Sequence, residues 1–188
     1  TITVVEADRL IVIADDITIE YGDVVPELTY TSSGELTGTP HLICTATPTS
    51  PVGTYPITIS KGGVENYNVD YVNGTLTIVK APLTVSVGDY ARKEGEDNPV
   101  FEILYEGFKN DETDAVLTKL PVAFTTATKD SPAGMYDILI TGGEADNYSF
   151  EYEYGILTVE IADDISSPDI DVQMVDVYSI EGILVKKQ

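Results

Sequence analysis

Residues 62–79 read GGVENYNVDYVNGTLTIV, and residues 142–159 read GGEADNYSFEYEYGILTV. Both stretches spell Asn-Tyr, a second Tyr four residues on, then Gly and Leu-Thr. A recurrence at fixed spacing decides the number of units before any local reading is attempted. With the chain displaced by 81, Ser50, Pro51, Gly53, Tyr55, Ile57, Ile59 and Gly62 fall on identical residues at 131, 132, 134, 136, 138, 140 and 143. So do Asn66, Tyr67, Tyr71, Gly74, Leu76 and Thr77, on Asn147, Tyr148, Tyr152, Gly155, Leu157 and Thr158. Upstream the displacement is 73, placing Leu10, Val12, Asp16, Gly22 and Pro26 on Leu83, Val85, Asp89, Gly95 and Pro99. The chain is a tandem duplication. Since 81 minus 73 is 8, the second copy carries eight extra residues between Pro99 and Pro121, mostly around NDETDAVL.

The joints set the expected boundaries. TLTIVKAPLTV at 75–85 closes one copy and opens the next, and the start of the chain, TITVVEADRLIV, reads as the same closing strand followed by the same opening strand. Residues 1–6 are therefore expected to end a preceding repeat, with modules at 7–80 and 81–160. Residues 161–188 open on the polar, proline-broken IADDISSPDIDVQ and continue as VDVYSIEGILVKK, a linker and a C-terminal β-hairpin segment rather than a third copy. Units of roughly 75 residues lie near the lower limit for burying a core unaided, so neighbouring copies stand to help one another.

Period-two alternation and β-branched residues dominate both copies. LIVIADDITIEYGD, PELTY, HLICTAT, TYPITIS, NYNVDY and TLTIVK read as strand-bearing, with counterparts LTVSV, PVFEILY, VAFTTAT, MYDILIT, NYSFEYEY and ILTVE. NDETDAVLTKL is the exception, where Asn110 or Asp111 is placed to cap one or two helical turns. The expected fold is mainly β: two tandem small β modules, β-sandwich-like or β-grasp-like, with a short C-terminal β segment. The joint KAP at 80–82 is too short for much hinge motion, and a semi-rigid rod is expected.

In NYNVDY, Tyr67, Val69 and Tyr71 share one strand face, and in NYSFEY Tyr148, Phe150 and Tyr152 do the same. These tyrosines are expected to be largely buried in their own modules. Asn73-Gly74 looks like a hairpin turn, yet its counterpart is Tyr154-Gly155, and Tyr suits the positive φ of a type I′ turn poorly. Gly74 and Gly155 are therefore expected to share a special backbone conformation closed to β-branched residues.

The net charge of −22 divides as −7 over residues 1–80, −11 over 81–160 and −4 over the tail, so every segment repels a phosphate backbone. Nucleic acid is excluded as a partner, and no apolar run approaches the length of a membrane span. A single cysteine, Cys44, cannot form an internal disulfide, and in ICTAT it reads as a buried, inert thiol. The single histidine, His41, corresponds to Val122 in the second copy, which leaves a nucleophilic triad without a repeated base. One Cys and one His do not supply a zinc site, and no metal or other cofactor is expected. The acidic clusters Asp15-Asp16, Glu94-Gly95-Glu96-Asp97 and Asp111-Glu112-Thr113-Asp114 lack the ligand alternation of a calcium loop and read as solvated, mutually repelling faces. Paired catalytic carboxylates are disfavoured too, because Glu20 and Asp15 become Lys93 and Gly88. No catalytic, cofactor-binding or metal-ligating residue is assigned.

YGDVVPELTY, SPVGTYPITISKGG and NYNVDYVNGTLTIVKA together resemble the bacterial MBG repeat family, marked by Tyr-Gly near the start of the unit and by Asn-Tyr, Tyr and Gly-x-Leu-Thr at its end. The second copy departs from that pattern at Glu94-Gly95, and its GFKNDETDAVL matches the family's usual middle segment, which the first copy has lost. VDVYSIEGILVKKQ resembles the start of the C-terminal sorting segments of secreted and surface proteins of Gram-negative anaerobes. The resemblance implies a non-catalytic extracellular repeat module, a stalk, spacer or adhesion segment at the surface of a Gram-negative bacterium. Neighbouring repeats of the same chain are its implied partners, with host or surface glycans or proteins beyond them. The alternative function is a carbohydrate-binding module serving an enzyme elsewhere in the parent chain.

Overall fold

A computed structural model of the chain describes residues 9–66 and 68–162. The closing strand expected at 1–6, the ring of Tyr67, and the hairpin and sorting-type segment expected in the tail from 163 onward lie outside the described residues. The first copy contributes β1 (Leu10–Ala14), β2 (Ile17–Glu20), β3 (Tyr30–Ser32), β4 (His41–Ile43), β5 (Gly53–Ser60), β6 (Val69–Val72) and β7 (Gly74–Val79). The second contributes β8 (Ala81–Val87), β9 (Tyr90–Lys93), β10 (Ile103–Glu106), β11 (Lys119–Thr125), β12 (Gly134–Glu144), β13 (Tyr148–Glu153) and β14 (Gly155–Glu160). The fold is mainly β.

Each copy builds a three-stranded and a four-stranded sheet, β3-β1-β6 with β2-β7-β5-β4 and β10-β8-β13 with β11-β12-β14-β9. Alternation buries one face of each. Val12 and Ala14 of β1 close over Ile57 and Ile59 of β5 and Leu76 and Ile78 of β7, all at most 5% exposed. Their counterparts Val85, Val87, Ile138, Ile140, Leu157 and Val159 fill the same places in the second copy. Among the described residues no α-helix lies on a sheet, and each copy is a small module of two sheets.

The duplication holds at the level of backbone register. Leu10 pairs with Val69 as Leu83 pairs with Phe150, Ile17 with Leu76 as Tyr90 with Leu157, and His41 with Ser60 as Val122 with Thr141. Both the opening pair β1–β6 and the next pair β2–β7 are parallel, so the first and last strands of a module lock its ends together. The chain changes sheet at Asp15-Asp16 and again at Asn73.

That corner explains the repeated glycine, and it corrects the expectation. Neither Gly74 nor Gly155 has a positive φ. Both open a buried strand, and a Cβ on Gly74 would stand 2.5 Å from the Ala14 carbonyl oxygen, while one on Gly155 would overlap the Gly88 carbonyl. Close backbone approach, not a left-handed conformation, demands the glycine. The repeated Asp beside it completes the corner: Asp16 Oδ1 accepts from Thr75 N at 2.7 Å, and Asp89 Oδ1 from Ile156 N at 2.8 Å.

Two further elements differ from expectation. The apolar pattern does not announce β9, because Arg92 occupies the place of Ile19. Its side chain is 5% exposed and donates to Asn98 Oδ1, Lys93 O and Thr128 O, which satisfies a guanidinium where the pattern asks for an apolar residue. The helical element in the insertion is a single 3₁₀ turn, Asp114–Val116, capped by Thr113. Asn110 and Asp111, expected to cap it, instead hold left-handed φ values of 54° and 57°.

Because the glycine requirement is spatial, Gly74→Ala should already destabilise the protein, by about 1–3 kcal/mol, the usual cost of overpacking. Gly155→Ala should behave alike. Denaturant unfolding checks this; alanine tolerated as well as glycine at both positions would contradict the close-approach account.

Candidate functional site

The largest departure from exact duplication is the segment 107–118 between β10 and β11, and it points at the first copy. β7 ends at Val79 and β8 begins at Ala81, so Lys80 alone joins the copies. Its Nζ donates to Ala145 O at 2.7 Å, and Ala81 N donates to Asn147 O at 3.0 Å. The turn after β2 meets the insertion beside this joint.

Tyr21 and Tyr148 meet there edge to face, ring centroids 5.6 Å apart, and Phe108 packs on Tyr148 at 5.3 Å. The two tyrosines are only 3% and 2% exposed. Their hydroxyls converge on one carboxylate: Tyr21 Oη donates to Glu112 Oε1 at 2.6 Å and Tyr148 Oη to Glu112 Oε2 at 2.5 Å. Tyr148 Oη also accepts from Lys109 N at 2.9 Å, so the insertion grips this ring from both sides. Bonds to an ionised acceptor are short and stronger than neutral ones, and both oxygens of Glu112 are engaged.

Around this bridge lie smaller contacts. Val52 N donates to Asn147 Oδ1 at 3.1 Å, Asn110 Nδ2 donates to Pro48 O at 3.2 Å, and Lys109 Nζ stands 3.5 Å from Asp23 Oδ1. Gly22, with φ of 88°, lets the Lys109 side chain lie across its backbone; a Cβ would come within 2.6 Å of Lys109 Cγ. Gly95 sits in the same turn of the second copy with φ of 78°, and a Cβ there would meet nothing within 4 Å. The repeated asparagine likewise has two jobs. Asn147 reaches the other copy, whereas Asn66 accepts from Thr37 N at 2.6 Å and donates to Glu35 O within its own.

The tyrosine expectation needs correction at one position. β13 alternates as expected, with Tyr148 buried, Phe150 and Tyr152 half-buried and the residues between exposed. Tyr148, however, is buried between the copies rather than in its own module alone. Tyr71 is half-buried, and Tyr152 Oη donates to Gly142 O.

The acidic clusters are not uniformly solvated faces. Asp15 accepts from Thr31 Oγ1 at 2.9 Å, Asp16 holds the β7 corner, Glu94 accepts from Ala133 N at 2.5 Å, and Glu112 is the bridge. Asp97 keeps the expected character, exposed and 3.5 Å from Lys129. Among the described residues, no group of three or more His, Cys, Asp or Glu is arranged to hold a metal. His41 is exposed at the start of β4, and Cys44 is half-buried against the core. No helix among the described residues is long and apolar enough to cross a membrane.

Sequence reasoning does not single out Tyr21, Lys109, Glu112 and Asn147 as a group. The signal lies in the differences between copies: an insertion present once, and Tyr21 replaced by Glu94. Burial raises the Tyr148 and Tyr21 phenols above their ordinary value, and the hydrogen bond to the Glu112 carboxylate adds to the rise in both. A phenol whose folded value lies above its unfolded value of about 10 binds its proton more tightly in the fold. Its stabilisation is present in full below about pH 10 and is lost as the pH rises through the raised values. Melting temperature should therefore hold to about pH 10 and fall beyond it. Tyr21→Phe should cost about 1–3 kcal/mol at neutral pH, by leaving half of a part-buried charge-assisted bridge unmade, and should blunt the alkaline fall. Identical alkaline profiles for the two proteins would contradict the bridge.

None of the curated proteins compared with the chain matches it. The MBG domain family of the YGX type matches it twice, over residues 10–77 and 83–158. Those two stretches coincide with the two copies, and Tyr21-Gly22, the Tyr-Gly near the start of the first unit, stands at the joint. The chain belongs to the MBG domain (YGX type) family.

Proposed function

We propose that the two copies act as a non-catalytic spacer or adhesion segment of a bacterial cell-surface protein, holding another part of that protein at a set distance and orientation. The observation that supports this reading is the joint. A one-residue connection, two buried tyrosines and a shared carboxylate leave little freedom between the copies, which is what a spacer needs and an independent binding module does not. Extracellular display on a Gram-negative cell belongs to the same reading.

The carbohydrate-binding alternative asks for two or more aromatic faces exposed together. Of the repeat tyrosines described, Tyr148 is buried and Tyr71 and Tyr152 are half-buried, which supports a packing role for them over a sugar-stacking one.

A broad glycan screen with the full chain should retain no sugar. A glycan bound by the wild type and lost on Tyr71→Ala, in a protein that stays folded, would replace the spacer reading with the carbohydrate one. Antibodies against the folded pair should label intact cells of the source organism; labelling only after lysis would remove the surface from the proposal.

A further inference from the structure

The two copies present equivalent ends, and the chain uses them differently. In the first copy, the turn after β2 and the loop before β5 form the socket that receives the second copy: Tyr21, Gly22, Pro48 and the N–H of Val52. The same positions in the second copy are Glu94, Gly95, Lys129 and the N–H of Ala133. The backbone there is built alike. Glu94 N donates to Glu160 O as Tyr21 N donates to Val79 O, and Gly95 keeps the left-handed turn of Gly22.

What differs is who satisfies the donor. Val52 N–H is taken by Asn147 from the neighbouring copy, whereas Ala133 N–H is taken by Glu94 from its own. The aromatic ring that would pack against an incoming Tyr148-like ring is replaced by a carboxylate, which would also face an incoming Glu112-like carboxylate and repel it. Pro48 becomes Lys129, and the shallow recess of about 360 Å³ at this end is lined by Glu94, Gly95, Lys129, Asp130, Ser131 and Pro132. Polar outer faces of this kind are how stacked repeats end.

We propose that Glu94 is a built-in cap: it closes the socket of the second copy, so that a module of this type does not stack on that end as the second copy stacks on the first. The Tyr-Gly or Glu-Gly choice at this turn then sets whether a copy accepts a successor. Stacking at this end is independent of whether the pair serves as a spacer, and the two can fail separately.

The test inserts a second set of residues 80–160 after Glu160 of the full chain, repeating the Lys80 joint. Small-angle scattering of this three-copy chain should show the added copy moving freely, and Glu94→Tyr with Lys129→Pro should fix it at the spacing of the first two. A third copy that already docks with Glu94 in place overturns the proposal. So does one that stays free in the substituted, folded protein. If the double variant does not fold, Glu94→Ala in the unextended chain supplies the answer: amide exchange at Ala133 should quicken by on the order of tenfold, the loss of one hydrogen bond, while Val52 is unchanged. Unchanged exchange at Ala133 would show that Glu94 caps nothing.

Discussion

The carboxylate of Glu112, held between the hydroxyls of Tyr21 and Tyr148, is the constraint on which the relation of the two copies rests. Drawing a carboxylate partly out of water is costly unless its oxygens are bonded, and here each oxygen of the half-buried Glu112 accepts a short hydrogen bond from a phenol. The phenols face the same demand, since a buried Tyr hydroxyl needs a partner. Three groups that would each be expensive alone thus satisfy one another, and two of them come from one copy and one from the other. Removing either phenol leaves one oxygen of Glu112 without its donor, and removing Glu112 leaves both phenols without their acceptor, which ties the integrity of the joint to a few atoms.

Duplication supplied the parts of this joint, and divergence made it directional. The same strand order and register recur in both copies, and many repeated residues do repeated work. Tyr55 and Tyr136 both donate to the carbonyl of the proline four residues back, Pro51 and Pro132, at 2.8 Å. Thr47 N and Thr128 N both donate to the Ser three residues on, at 2.9 Å. Against that constant frame the eight-residue insertion lengthens only the second copy on the side facing the first, and Glu94 replaces Tyr21 only on the side facing away. One end of a copy is a plug, the other a socket, and the two copies differ in which of these they retain.

Periodicity makes the β class and the duplication legible, because alternation and self-identity are local properties of the chain. Sheet partners are not legible: that β6 and β7 belong to different sheets is decided by the corner at Asn73 and by parallel pairing with β1 and β2, both long-range. Arg92 hides β9, since a buried charge breaks the apolar pattern and is redeemed only by carbonyls that the local sequence does not reveal. Self-identity marks Gly74 and Gly155 as required, but the local sequence suggests a turn conformation, when the cause is the nearness of another strand's carbonyl. Glu112 reads as one of a solvated acidic run because composition does not show which acid faces a neighbouring copy.

If the copies are locked to each other through this joint, they tumble as one body. Residual dipolar couplings measured over both copies in the full chain test this most directly. A single alignment tensor should fit residues 9–66 and 68–162 together, and Glu112→Ala should split it into two. Separate tensors for the two copies in the wild-type chain would contradict the lock.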